Sequence, residues 1–261
     1  MIANYHTHTY RCGHATGTER EYIERAIENG IKIMGFSDHA PFLFPDGYES
    51  GYRVPTALAE DYINTLKALR EEYKDKIEIL IGFEMEYYPL HFKEMLKYVK
   101  ELGAEYLILG QHFVDNETRT EKFPYGKHTT GNKNTAEELS EFADYVIAAI
   151  KSGVFSYIAH PDIFNYDTEA PEYEREMRRI CKTAAEYGMP LEINFLGLRT
   201  NRHYPAMKFW EIAGEEGCTA VFGFDAHDTM AAYDGDSLIT ANRMIEKYGL
   251  KLIETVNIKR I

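Results

Sequence analysis

A distorted (βα)7 barrel of the α/β class is the fold this sequence predicts, and three observations predict it. Short apolar runs alternate with amphipathic segments along the whole chain, the pattern of right-handed βαβ units on a parallel sheet. Its 261 residues contain no internal repeat, low-complexity stretch or linker, so a single domain over 1–261 is expected, a size at which α/β barrels stay undivided. Nearly every apolar run ends in a residue able to bind a metal, and the carboxyl ends of strands are where barrel enzymes carry their chemistry. An open doubly wound sheet would instead gather such residues at one crevice.

The elements follow in order. Ile2 to Tyr5 reads as the first strand. Thr16 to Gly30 reads as a helix, with Thr18 and Glu21 as a capping box and Gly30 beyond its end. Ile31 to Phe36 is a buried strand, and the loop from Pro41 to Pro55 is long enough to be functional. Leu58, Tyr62, Leu66, Leu69 and Tyr73 mark one helix face. Ile77 to Phe83 is a strand, Phe92 to Leu102 a helix, and Tyr106 to Leu109 a strand. After a polar connection from Asp115 to Asn134, Thr135 and Glu138 cap a helix that Gly153 closes. Phe155 to Ala159, Leu191 to Phe195 and Thr219 to Phe224 are the last three barrel strands, with helices from Pro171 to Gly188 and Pro205 to Glu216 between them. A final helix and a short apolar run near Leu252 close the chain.

Composition narrows the function. An apolar fraction of 44% fits a globular protein. Net charge −13 argues against nucleic acid as a partner, because binding its backbone needs basic surface. A small anionic substrate is still compatible, since bound metals invert the local field. The three cysteines, Cys12, Cys181 and Cys218, form no CxxC and suit a reducing compartment. With no signal peptide and no apolar run long enough to span a bilayer, a cytoplasmic protein without membrane contact is expected.

The chemistry lies at the strand ends. His6 and His8, at positions i and i+2, project from one face of the first strand. Later runs end at Asp38-His39, Gly82-Phe83-Glu84, Gln111-His112, Ala159-His160-Pro161 and Asp225-Ala226-His227, and His14 follows the first strand in a loop. Seven of the ten histidines join Glu84 and Asp225 as nine candidate ligands. Imidazole with carboxylate suits zinc, iron or manganese. Nine ligands exceed the need of one ion, and a bridging Glu84 would let them fill two or three sites, the arrangement that clamps and hydrolyses phosphate esters.

This ordered set, from His6-x-His8 to Asp225-x-His227, resembles the polymerase-and-histidinol-phosphatase (PHP) family of metal-dependent phosphoesterases. The resemblance implies three divalent metal ions. One would be held by His6, His8, Glu84 and Asp225, a second by Glu84, His112 and His160, and a third by His14, His39 and His227. Within the family, Gly51-Tyr52-Arg53-Val54-Pro55, Leu191-Glu192-Ile193-Asn194 and Gly197-Leu198-Arg199 resemble the histidinol-phosphate phosphatases. That implies hydrolysis of a small phosphorylated metabolite, L-histidinol phosphate, to L-histidinol and inorganic phosphate in histidine biosynthesis. The alternative is a PHP phosphoesterase acting on a nucleotide or another small phosphate ester. An amidohydrolase-type deaminase also opens with His-x-His, but often uses a carbamylated lysine where Glu84 stands here.

The expected reaction is in-line attack by a metal-bridging hydroxide, because a bound metal lowers the pKa of water to about 7. Glu84 and Asp225 are the expected catalytic carboxylates, Glu84 as bridge and Asp225 as ligand and proton relay. Arg199 is the expected phosphate clamp, since a guanidinium at a strand end grips two oxygens at once, with Arg53 and then Lys127 behind it. His128 is expected to reach the substrate, and Asp115 or Glu117 to meet its ammonium group. His91 and His203 are expected at the surface, Cys12 as a buried thiol beside the metals, and Trp210 packing helices onto the barrel. Aromatic residues of the loop up to Tyr52 are expected to wall the substrate pocket.

Overall fold

Alternation along the strands sorts their side chains into two cores. In the computed structural model, which describes residues 1–45, 47–114, 127–130 and 134–261 (backbone only at 127 and 128), the elements run in chain order. They are β1 (Ala3–Asn4), α1 (Glu19–Glu28), β2 (Ile33–Phe36), α2 (Ala59–Tyr73), β3 (Glu78–Met85), α3 (Phe92–Leu102) and β4 (Tyr106–Leu109), then the antiparallel pair β5 (Phe113–Val114) and β6 (Lys127–His128). There follow α4 (Ala136–Ser152), α5 (Pro171–Glu186), β7 (Leu191–Asn194), α6 (Phe195–Arg199), α7 (Met207–Glu215), β8 (Thr219–Gly223), α8 (Gly235–Tyr248) and β9 (Lys251–Leu252). On β3, Ile79, Ile81, Phe83 and Met85 face the surrounding helices, and Leu80 faces the barrel axis. Leu107 and Leu109 of β4 face outward, Tyr106 and Ile108 inward. The inner core is Ala3, Tyr5, Leu80, Tyr106, Ile108, Tyr157, Ala159, Val221 and Val256.

All barrel neighbours are parallel. β1, β2, β3 and β4 pair in that order, and β7 pairs with β8. The fifth position is the extended segment 155–159, whose Ile158 bridges Leu109 on one side and Leu191 on the other. Thr7 bridges Ala226, and the His8 amide donates to the Ala226 carbonyl at 3.0 Å, which closes the ring between the ends of β1 and β8. Seven positions therefore make the distorted barrel predicted above. The distortion is at the amino end, where β9 pairs with the start of β8 on the edge facing β1. The C-terminal tail continues beneath the barrel. Val256 N donates to the Tyr5 hydroxyl at 3.1 Å, Lys259 N to Ser156 Oγ at 3.0 Å, and Ile261 N to the Glu105 carbonyl at 3.3 Å.

Both capping boxes form, at Thr18/Glu21 and Thr135/Glu138, and Gly153 ends α4 in the left-handed region. Two expectations are corrected. Leu58 is exposed rather than part of the α2 face, because that helix starts one residue later. The segment after β7 turns at once into α6, with Asn194 accepting from Gly197 N at 3.0 Å, so Arg199 sits on a helix rather than at a strand end.

Under the barrel, Glu105 accepts from Arg70 Nη1 at 2.7 Å, lies 3.2 Å from Arg260 Nη1, and accepts from Ile81 N at 3.3 Å. Partial burial works to raise its pKa, but these partners hold it below the ordinary 4.5. A carboxyl depressed in the fold stabilises above its unfolded value and loses that contribution as pH falls through the folded value. Glu105→Gln is expected to lower the thermal midpoint at pH 7 by about 2–4 °C, the effect of ~1 kcal/mol in a domain of this size. Below pH 4.5 the gap to wild type should close in thermal scans; a gap that does not vary with pH would contradict the ion-pair origin.

Candidate metal centre

Glu84 continues the inward-facing register of β3 beyond Leu80 and Gly82, which raises its carboxylate to the carboxyl end of the barrel axis. Two glycines make room there. A Cβ on Gly110 would overlap the Glu84 carboxylate, and one on Gly223 would overlap that of Glu192. The first two histidines converge on Glu84 from the end of β1. His6 Nε2 lies 3.1 Å from His8 Nε2, 3.5 Å from Glu84 Oε2 and 3.5 Å from Asp225 Oδ1. His8 Nε2 lies 3.4 Å from the same Glu84 oxygen and 3.3 Å from Asp225 Oδ1. The other Glu84 oxygen meets His160 Nε2 at 2.8 Å and His112 Nε2 at 3.4 Å, and His39 Nδ1 is 3.1 Å from Oε2. His227 Nδ1 approaches Asp225 Oδ1 at 3.3 Å.

These side chains fit metal ions. Zinc bound tetrahedrally at about 2.0–2.1 Å by nitrogen and oxygen sets its ligand atoms about 3.3–3.4 Å apart. Five of the six edges of the figure His6, His8, Glu84, Asp225 measure 3.1–3.5 Å. Glu84 Oε2, Asp225 Oδ1 and His39 Nδ1 are buried without a hydrogen-bond partner among the described residues, a costly state for lone pairs that a cation relieves. Further groups with ligand atoms within 4.8 Å are His39, Glu84 and His112; His6, His160 and Asp225; and His8, His39 and His227. His14 belongs to none of these groups, although its ring centroid is 5.1 Å from that of His227 and 5.2 Å from that of His39.

The charges are ordered as well. Burial works against protonating His6, but Glu192, Asp225 and Glu84 lift its pKa to about 10. Burial would raise the Glu84 carboxyl, and the imidazoles of His112, His6 and His39 overcome it, so that Glu84 stays ionised. Asp225 is likewise held far down against burial, by His6, His227 and His8. Burial and then His227 push His14 down to about 4. Asp225 and His160 also adopt left-handed backbone, φ 46° and 30°, at non-glycine positions. Strain of that kind is stored where side-chain aim matters more than backbone comfort.

The sequence profile of the PHP domain matches residues 4–195, most of the chain. The chain belongs to the PHP domain family. A probable histidinol-phosphatase of Deinococcus radiodurans is 28% identical over 240 residues, 87% of this chain and 86% of the relative. The histidinol-phosphatase of Bacillus subtilis is 27% identical over 248 residues, 85% and 92% of the two chains. Among solved structures, histidinol phosphate phosphatase of Lactococcus lactis subsp. lactis, complexed with zinc, L-histidinol and phosphate, superposes with a TM-score of 0.71 at 22% identity, covering 98% of this chain and 96% of that one. It shares the fold. Asp225 and His227 lie beyond the matched residues of the PHP domain, and β8 brings them back to the centre.

Around this PHP centre lies a set of buried partners, Glu86 and the already noted Asp38, Glu192 and Asn194, whose orienting role sequence reasoning missed. Glu192 accepts from His6 Nδ1 at 2.9 Å, so Nε2 is the nitrogen left facing the other ligands. Asn194 Nδ2 ties Glu192 at 2.7 Å to Asp225 Oδ2 at 3.0 Å. Glu86 holds His112 Nδ1 at 2.8 Å, and Asp38, itself gripped by Thr9, stands 3.5 Å from His8 Nδ1. A signal for these was present. Glu86 follows Glu84 by two, and Glu192 and Asn194 are polar positions two apart in an apolar strand, the period of one sheet face. Glu192→Gln is expected to cost about 10–100-fold in metal affinity and activity, the usual scale for a partner that orients a ligating histidine. Chelator competition and kcat/KM would measure it, and unchanged values would remove Glu192 from the centre.

A cavity of about 570 Å³ opens over the ligands and is walled by Tyr52, Thr130, Ile163, Leu196, Arg202 and Tyr204, with His203 beside them. Two expectations are corrected here. Arg199 donates to the carbonyls of Phe224 and Asp225 at 2.6 Å each and lines a separate groove, so it braces the Asp225 backbone rather than clamping phosphate. Arg53 is buried, paired with Glu86 and donating to Ala40 O at 3.0 Å, and so among the described residues it connects to the centre through Glu86 and His112. His203 is exposed, as expected, and stands at the cavity with Nε2 2.8 Å from the Ile163 carbonyl. Asp115 and Glu117 lie outside the described residues, as do the side chains of Lys127 and His128. Cys12 is buried and donates to Thr9 O, and His91 stands at the start of α3 against Phe42 and Phe44. Trp210 is buried, its Nε1 donating to Asp162 at 3.1 Å. Among the described residues no helix is long and apolar enough to cross a membrane.

Proposed function

We propose that this PHP-domain chain is a metal-dependent phosphomonoesterase that hydrolyses L-histidinol phosphate to L-histidinol and phosphate, working in the cytoplasm as one barrel domain over residues 1–261. The observation that carries the reading is the convergence of His6, His8, Glu84 and Asp225, with five of their ligand-atom separations at 3.1–3.5 Å, beneath a cavity sized for a small ester. Relatives at 27% and 28% identity that carry the histidinol-phosphatase name support the substrate. In this reading three divalent cations, zinc among the candidates, are held by His6, His8, Glu84 and Asp225; by Glu84, His112 and His160; and by His14, His39 and His227.

Bound there, the cations would lower the pKa of water to about 7 and draw charge from the phosphoryl oxygens. The chain's own groups do the rest. Glu84 and Asp225 are ionised acceptors, so they orient cations and protons and do not themselves supply the proton of the leaving oxygen. Arg202 takes the phosphate role expected of Arg199. It lines the cavity with Nη1 on the Tyr204 hydroxyl at 2.9 Å and Nε on Thr200 Oγ1 at 3.2 Å, which aims the guanidinium. Ile163, Leu196 and Tyr204 form an apolar wall for the organic half of the ester.

The test is phosphate release by zinc- or manganese-loaded protein from L-histidinol phosphate, nucleoside monophosphates and an aryl phosphate at equal concentrations. The proposal expects kcat/KM of at least about 10⁴ M⁻¹s⁻¹ for L-histidinol phosphate alone. Similar weak rates on all esters would withdraw the substrate and keep the phosphoesterase. No release from metal-loaded protein would overturn both.

A further inference from the structure

The candidate ligands are not equally held. His6, His8, His39, Glu84, His112, His160 and Asp225 are almost wholly buried. His14 is different. It follows Gly13 in a loop, it is exposed, and the polar contact of its ring among the described residues is from Nδ1 to the Cys12 carbonyl at 2.9 Å. A ring pinned at one atom can still swing about that contact.

Tyr52 supplies the second constraint. Its ring is nearly parallel to that of His14, 9° apart with centroids at 5.5 Å, and lies 4.1 Å from that of His39. It meets His112 edge-on at 5.3 Å and Phe113 at 5.6 Å. One phenol thus touches three candidate ligands. The backbone behind it is anchored to the same structure, because Val54 N donates to the His39 carbonyl at 3.1 Å and the buried Arg53 is paired with Glu86. Stacked and edge-on aromatic contacts have preferred geometry, so the phenol restricts the tilt of each imidazole it touches.

We propose that Tyr52 is a positioning residue for the outermost divalent cation. Its ring holds the imidazoles of His14 and His39 in one register, so the cation bound by His14, His39 and His227, with two of its three ligands against the phenol, depends on Tyr52 more than those on Glu84, where His112 alone meets the ring edge-on and buried carboxylates hold the rest. This rests on the three-cation reading above. Stacking needs the ring and not the hydroxyl, so phenylalanine should serve and an aliphatic side chain should not.

The experiment counts zinc. Full-length protein is loaded with zinc and freed of loose metal by gel filtration, zinc per chain is measured, and the last equivalent is titrated against a chelating dye. Wild type and Tyr52→Phe are expected to hold three equivalents. Tyr52→Ala and Tyr52→Leu are expected to hold two, with the last bound about 10–100-fold more weakly, the scale for partners that orient a ligand. His14→Ala should lose the same equivalent, and adding Tyr52→Ala to it should cost nothing more. Three equivalents of unchanged affinity in Tyr52→Ala, or a parallel loss of all equivalents, would overturn the role of Tyr52. Fewer than three in wild type would overturn the three-cation reading on which it rests.

Discussion

Glu84→Gln is expected to lower kcat/KM by on the order of 10³-fold or more and to strip the protein of most of its metal. Removing a residue that merely orients a metal ligand costs 10–100-fold, and removing one preorganised electrostatic contact costs 10²–10³-fold. Glu84 exceeds both cases, because one oxygen faces His6, His8 and His39 and the other faces His112 and His160. Glutamine keeps the shape but brings an amide nitrogen that cannot accept, so one half of the centre loses its shared acceptor. The check is metal content by elemental analysis beside kcat/KM, with circular dichroism to establish the fold. Wild-type metal content and turnover within tenfold of wild type would remove Glu84 from the bridging position.

Arg53→Ala should produce the largest loss of stability. Arg53 and Glu86 are both almost wholly buried, and the pair is the counter-charge that burial of Glu86 requires. Deleting one partner of a buried pair costs about 3–5 kcal/mol, since the other charge stays behind without compensation. In a domain of this size that moves the thermal midpoint down by roughly 6–20 °C. The effect should reach the metal centre as well, because Glu86 is the acceptor on His112 Nδ1. Scanning calorimetry of the chelated and zinc-loaded forms separates the two consequences. A midpoint within 2 °C of wild type, about 1 kcal/mol or less, would contradict the buried-pair account.

How far the sequence reaches can be judged element by element. The capping pairs Thr18/Glu21 and Thr135/Glu138 are local, involving three residues of separation, and both form. Strand positions were legible for the same reason, since apolar runs carry their own period. The segment 155–159 lies in its expected barrel position even though it keeps only isolated bridges, at Ile158. The polar ends of those runs pointed to the candidate ligands. Residues that act through others were hidden, because Glu192 is 186 positions from His6 and Asp38 is 29 from Thr9. Only closure of the barrel makes such pairs neighbours.

The sequence by itself determined the class of fold and the identity of the candidate ligands, because both depend on periodicity and on residue chemistry, which are local properties. Tertiary structure decided which charged groups face the cavity. Arg199 and Arg202 are three residues apart and alike in sequence, yet the turn of α6 sends one to the backbone carbonyls of Phe224 and Asp225 and leaves the other on the cavity wall. It likewise decided that Arg53 is a buried counter-charge rather than a hand for substrate. The physical reason is that a guanidinium goes where its hydrogen bonds are satisfied, and those partners come from parts of the chain that only folding brings near.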